Sequence, residues 1–155
     1  MPDLALYQPD IPGNTGTLLR LGACMGCHIH IIEPAGFRLD DKAMKRAGMD
    51  YLEKASLKRH LDWEAFQQWR KENNRRLILL TTKGAVEYTS LEFHTDDILL
   101  LGRESSGVPE TVHNAVDERV FIAMQKNARS LNVALSGAMV LGEAIRQTNG
   151  GSSAP

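Results

Sequence analysis

Two short runs, residues 77–82 (LILLTT) and 97–102 (DILLLG), are almost wholly apolar and are bounded by polar residues or glycine. A run this short without alternation fits a strand covered on both faces, as in a parallel sheet with helices above and below it. Parallel neighbours need long crossover connections, usually helical, so the remainder of the chain has to supply helices between strands. It does. Residues 4–8 (LALYQ), 28–33 (HIHIIE) and 119–123 (RVFIA) read as further strands, with a weaker one at 51–55.

Helical spacing falls between them. Leu18, Leu21 and Met25 repeat along one side of a segment that Asn14 can cap. Asp40 or Asp41 can cap a short helix to Ala47, with Gly48 as its stop. Residues 62–73 carry Trp63, Phe66 and Trp69 along one side, and 110–115 can form a further turn or more. Strands alternating with helices give an α/β fold with a mainly parallel sheet flanked by helices. One domain is expected over 1–148, with a disordered tail, NGGSSAP, at 149–155.

The strongest helical segment lies in residues 127–147, NARSLNVALSGAMVLGEAIRQ. Ser130 or Asn132 can cap it, and its polar residues Asn132, Ser136, Glu143 and Gln147 fall in one narrow stripe. Such a helix is expected to be buried on most sides, with Ala134, Ala138, Leu141 and Ile145 opposite the stripe. Its entrance, ARSLN, sets a cation, a hydroxyl and an amide at the mouth of a core helix.

Composition excludes several classes. No stretch approaches the ~20 apolar residues of a membrane span, and the start Met1-Pro2-Asp3 does not read as a signal peptide, so a cytoplasmic protein without membrane partners is expected. The net charge of −1 gives no global pull towards nucleic acid, so RNA binding has to come from local patches. Cys24 and Cys27 form a lone CxxC in an apolar segment. A zinc site needs further ligands, and His28 and His30 do not have the usual spacing, so no metal is expected.

Three loops rich in glycine and polar residues follow strands, where open α/β sheets collect ligands. They are residues 9–20, 102–110 and 124–132. None holds GxGxxG, a Walker A loop or GxSxG, which removes the motif basis for dinucleotide, P-loop or serine-hydrolase chemistry.

The same loops carry a resemblance. NTG-x-LLRL (14–21), LLLGRESSGVP (99–109) and RSLN-x-ALSGAMVLGEA (129–144), in that order and spacing, resemble the three motifs of the SPOUT methyltransferases. Within that class the chain is most similar to the small tRNA wobble-position 2′-O-methyltransferases of the TrmL (YibK) type. The likeness runs through IIEP-x-GF (31–37), DDK…RAG-x-DY (40–51) and LTTKG (80–84). It departs at Ala123-Met124, where relatives carry proline before the methionine, and residues 125–128 lack a glycine found there in the broader family.

The resemblance implies a C-terminal trefoil knot, a homodimer, and S-adenosylmethionine bound around Leu80, Thr81, Gly102, Ile122, Ser130 and Leu131. It implies methyl transfer to the ribose 2′-hydroxyl of tRNA wobble position 34, on cytidine or 5-carboxymethylaminomethyluridine. S-adenosylhomocysteine is the product and no metal takes part. Arg20 matches the arginine of the first motif, with Asn14, Glu104, Ser130 and Asn132 around it as the catalytic group. A guanidinium stays protonated at any ordinary pH, so Arg20 reads better as a phosphate clamp and hydroxyl orienter than as a base. Lys42, Lys45 and Arg46 are the candidate RNA contacts for the anticodon stem-loop, and Tyr51 a candidate base-stacking or core residue. Two alternatives stay open: a 2′-O-methyltransferase acting on ribosomal RNA, and a non-catalytic RNA-binding module of the same fold.

Overall fold

The two apolar runs lie at the heart of a seven-stranded sheet. The computed structural model describes residues 1–39, 42 and 56–149. In chain order it contains β1 (Asp3–Tyr7), α1 (Pro12–Met25), β2 (Ile29–Ile32), β3 (Leu57–His60) and α2 (Trp63–Glu72). There follow β4 (Leu77–Leu80), β5 (Val86–Glu87), a 3-10 turn at Tyr88–Ser90, β6 (Ile98–Leu101), α3 (Glu110–Ala115), β7 (Glu118–Phe121) and α4 (Val133–Thr148). The strand order is β3-β2-β1-β6-β4-β7-β5, and the paired strands run parallel. β6 is central, with Leu99 opposite Leu4 on one side and Ile78 on the other.

Alternation along the strands divides the core in two. Leu4, Leu6, Ile78, Leu99 and Leu101 pack with Leu18 and Leu19 of α1 and Val140, Leu141 and Ala144 of α4. Ala5, Tyr7, Leu77, Leu79, Ile98 and Leu100 pack with Phe66 of α2 and Val112 of α3. Both faces are covered, which is why those strands show no polar alternation.

Four local expectations are revised. Asn14 is not a cap: α1 begins at Pro12, whose fixed φ and missing N–H suit the first helical turn, and the cap position is Ile11 without a side-chain bond. This leaves the Asn14 amide free for other partners. The third strand is Leu57–His60; residues 51–55, the helix expected at 40–47 and the tail beyond 149 lie outside the described residues. The two-residue β5 was missed, being too short to show a period. Finally, α4 is not buried on most sides. Ala134, Gly137, Val140, Leu141 and Ala144 are buried, whereas Leu135, Ala138, Met139 and Gly142 face outward.

His30 is buried in the sheet. Its Nε2 meets Asp3 Oδ2 at 3.0 Å and its Nδ1 meets His60 Nε2 at 3.0 Å, with Trp69 tilted over both rings. His28 is exposed. Arg70, Arg75 and Arg76 pair with Asp117, Asp3 and Asp97. They tie strand ends together.

Candidate active site

The strand order reverses beside β1: the chain runs outward through β2 and β3, then returns to place β4 and β6 on the other side. Ligands of open α/β sheets gather where such reversals leave a crevice at the carboxyl ends of strands. A cavity of about 270 Å³ lies at the carboxyl ends of the strands on the β6-β4-β7 side of that reversal, walled by the segments after β4, β6 and β7 and by the start of α4. Leu79, Leu101, Val120 and Val140 give it an apolar floor, and Thr81, Glu104, Ser130 and Ser136 add polar groups.

The six residues expected around a cofactor, Leu80, Thr81, Gly102, Ile122, Ser130 and Leu131, all line this one cavity. They come from three loops far apart in sequence, which only the fold brings together. Gly102 is required by the loop's own closure. Arg103 and Gly107 exchange backbone hydrogen bonds of 2.9 Å in both directions, and a Cβ on Gly102 would lie 2.9 Å from Gly107 Cα. Gly107 itself sits at φ 66, a conformation that favours glycine.

The third loop turns without the family's glycine. Asn127 adopts φ 82, and the Ala128 N–H donates to Gln125 O at 3.0 Å. Asparagine tolerates the left-handed region better than other side chains, so it can carry a turn that glycine carries elsewhere.

Three of the five residues expected as a catalytic group, Asn14, Glu104 and Asn132, are joined in one hydrogen-bonded chain. Asn132 caps α4, its Oδ1 accepting the N–H of Ala134 at 2.8 Å and of Leu135 at 3.2 Å. Its Nδ2 donates to Asn14 Oδ1 at 3.0 Å, and Asn14 Nδ2 donates onward to Glu104 Oε1 at 3.4 Å. The chain Asn132→Asn14→Glu104 thus orients the carboxylate of a residue that lines the cavity. Burial first, then the neighbouring Asp10 carboxyl, raises Glu104 above the ordinary carboxylate range.

Arg20 is not brought to this cavity. It is exposed on α1, six residues beyond Asn14 and about 120° around the helix from it. Lys42 is exposed; Lys45, Arg46 and Tyr51 lie outside the described residues. Sequence reasoning missed Asp10 and Arg103, both beside Glu104; the signal was their place in two of the motif loops.

Cys24 is exposed and Cys27 buried, both free, and burial pushes the Cys27 thiol up to about 12, which leaves it an inert apolar group. Among the described residues, no group of three or more His, Cys, Asp or Glu could hold a metal ion, and no helix is long and apolar enough to cross a membrane.

The cavity suits a ligand that is partly apolar and partly polar. Its inner walls are leucine, isoleucine and valine with exposed loop backbone nearby, while hydroxyls and a carboxylate stand at its sides.

Comparison with known proteins gives a consistent result. The profile of the SpoU rRNA Methylase family matches residues 2–142. A protein of Beijerinckia indica subsp. indica named tRNA (cytidine(34)-2′-O)-methyltransferase is 58% identical over 93% of this chain and 90% of its own length. One of Ancylobacter novellus with the same name is 56% identical over 95% and 93%. A solved structure described as "Structural insights into the 2-OH methylation of C/U34 on tRNA" superposes with a TM-score of 0.88 at 36% identity, covering 95% of each chain.

Proposed function

This chain belongs to the SpoU rRNA Methylase family, and from that membership we propose that it transfers a methyl group from S-adenosylmethionine to the ribose 2′-hydroxyl of the wobble nucleotide, position 34, of tRNA. The observation that carries the proposal is the meeting of two motif loops, 102–110 and 124–132, with the segment after β4 on one cavity, in a chain whose near-full-length relatives are named for this reaction. The accepting nucleoside is cytidine or 5-carboxymethylaminomethyluridine, and the anticodon stem-loop is the part of the tRNA that is bound.

The residues present fit the cofactor. Leu80, Thr81, Gly102, Ile122, Ser130 and Leu131 would hold it, the apolar lining suiting the adenine and the loop backbone its polar edge. When bound, S-adenosylmethionine supplies a methyl group on a sulfonium, a good leaving group that needs no metal assistance. The protein's own task is to hold the ribose hydroxyl in line and to receive its proton. Glu104 is suited to receive it: it lines the cavity, its carboxyl oriented by Asn14 and Asn132, and its raised proton affinity matches a general base better than an ordinary carboxylate does. Ser130, which also lines the cavity, is a hydroxyl partner for the ribose. Arg20, exposed and outside the cavity, suits a phosphate clamp that fixes the RNA backbone. Lys42, Lys45 and Arg46 add sequence-blind phosphate contacts.

The working unit is a homodimer. Leu135 is 59% exposed and Met139 42% exposed on the outer side of α4, with Ala138 and Gly142 completing an apolar strip. Small residues among larger ones let a second copy approach closely through an isologous contact. The trefoil knot of the SPOUT class is proposed for this chain as well; the return of α4 to α1 and β6 after β7 has been laid further along the sheet supports it.

The test is to offer labelled S-adenosylmethionine with purified total tRNA or with ribosomal RNA. Label in tRNA alone is expected. Label in ribosomal RNA alone would move the substrate to the second reading, and a chain that binds no cofactor would be a binding module.

A further inference from the structure

Asp10 sits where three loops meet, and its carboxylate grips the loop that carries Glu104. Its Oδ1 accepts the Glu104 N–H at 3.2 Å, and its Oδ2 accepts the Ser105 hydroxyl. The Arg103 guanidinium lies 3.7 Å from the same Oδ2. In return the Asp10 N–H donates to Glu104 Oε2 at 3.0 Å. From the other side the loop after β2 closes down: the Gly36 N–H donates to Pro9 O at 2.8 Å, and a Cβ on Gly36 would stand 2.8 Å from Asp10 Cβ. Because β2, β1 and β6 are adjacent and parallel, their carboxyl-end loops necessarily share this edge.

We propose that Asp10 is a positioning residue for the methyl transfer, holding the loop of residues 103–107 so that the Glu104 carboxylate faces the cavity beside Asn14. The inference rests on the reading of Glu104 as the group that receives the hydroxyl proton. In that step the ribose oxygen gains the methyl as the carbon–sulfur bond breaks, and the hydroxyl proton passes to a Glu104 oxygen. Glu104 is held at both oxygens, Oε1 by Asn14 and Oε2 by the Asp10 backbone. The Asp10 side chain fixes the backbone from which that carboxylate hangs.

Charge distinguishes this role from simple loop packing. The carboxyl of Glu104 first and the Ser105 hydroxyl next hold Asp10 down at about 2, so Asp10 remains anionic. That fixed negative charge favours the protonated form of Glu104 beside it. Arg103 is the charged group that faces the pair, and the Tyr7 phenol lies beyond it within the reach of its field. Replacing Asp10 by asparagine removes the charge at nearly constant shape, and Glu104 then titrates at lower pH.

The experiment compares wild type with Asp10→Asn, Asp10→Ala and Asp10→Glu. Thermal melting checks the fold, steady-state kinetics on tRNA separates kcat from KM, and the carbon-13 shift of the Glu104 carboxyl, assigned with Glu104→Gln, is followed against pH. Asp10→Asn and Asp10→Ala are expected to fold and to keep the KM for tRNA, while kcat falls about tenfold to a hundredfold. The acid limb of kcat and the Glu104 titration both move to lower pH in Asp10→Asn, and Asp10→Glu recovers part of the rate. An unchanged kcat and an unchanged Glu104 titration in Asp10→Asn overturn the proposal, as does a loss of activity that only follows a loss of melting temperature. If wild type labels no tRNA, the activity reading fails, and the Glu104 titration still decides what Asp10 does.

Discussion

Asn132 serves two structures with one side chain. Its oxygen caps α4 and its amide nitrogen holds Asn14, so helix stability and site geometry share a residue. Asn132→Ala removes both. The lost cap alone costs roughly 1 kcal/mol, so the urea midpoint should fall visibly, and methyl transfer should fall further than stability explains because Glu104 loses its orienting chain. A variant as active as wild type would detach Asn132 from the site. A second residue-scale prediction concerns His60, which is 5% exposed. Burial first, then His30 and Lys58, hold it down to about 4. The unfolded chain's histidine takes up its proton near ~6.5, the folded one near about 4. The stability this contributes is therefore whole above the upper value and is lost as pH falls between the two, by roughly 1 to 3 kcal/mol. Urea midpoints measured across that window should decline for wild type and stay flatter for His60→Gln; equal slopes would contradict the account.

At the scale of elements, the loops after β4, β6 and β7 matter more than the strands that present them. Gly102→Ala places a methyl group against the Gly107 backbone, which cannot yield as a side chain can. The loop then has to open, and affinity for S-adenosylmethionine should drop at least about tenfold by calorimetry; unchanged affinity would remove this loop from the pocket. The central strands were legible in the sequence because both of their faces are covered, and α2 because Trp63, Phe66 and Trp69 recur along one side; the structure adds its cap, Asp62, which accepts the Ala65 N–H at 2.8 Å. The start of α1 was misjudged because Asn14 has the chemistry of a cap, yet Pro12 begins the helix and the amide goes to Glu104. The cavity residues were named from motif resemblance and not from periodicity, since nothing local says that Thr81, Gly102 and Ser130 will meet. The Asp10 clamp was illegible for a related reason: it joins positions more than ninety residues apart through a backbone N–H and a hydroxyl.

For the whole molecule, the outward strip on α4 decides whether the chain works alone. Leu135→Glu puts a charge into the proposed contact, which costs heavily if that surface becomes dry. Sedimentation should give a dimer for wild type and a monomer with greatly reduced activity for the variant; a variant that stays dimeric would place the contact elsewhere. The central claim joins cavity, dimer and RNA in one reaction, and the most direct measurement is the position of the methyl group. Wild-type protein, S-adenosylmethionine and unmodified tRNA would be incubated, and the product digested and mapped by mass spectrometry. The account predicts a single added methyl on the 2′-oxygen of nucleotide 34, absent when Glu104→Gln replaces wild type. A methyl on a base, or on a ribose elsewhere in the tRNA, would contradict it.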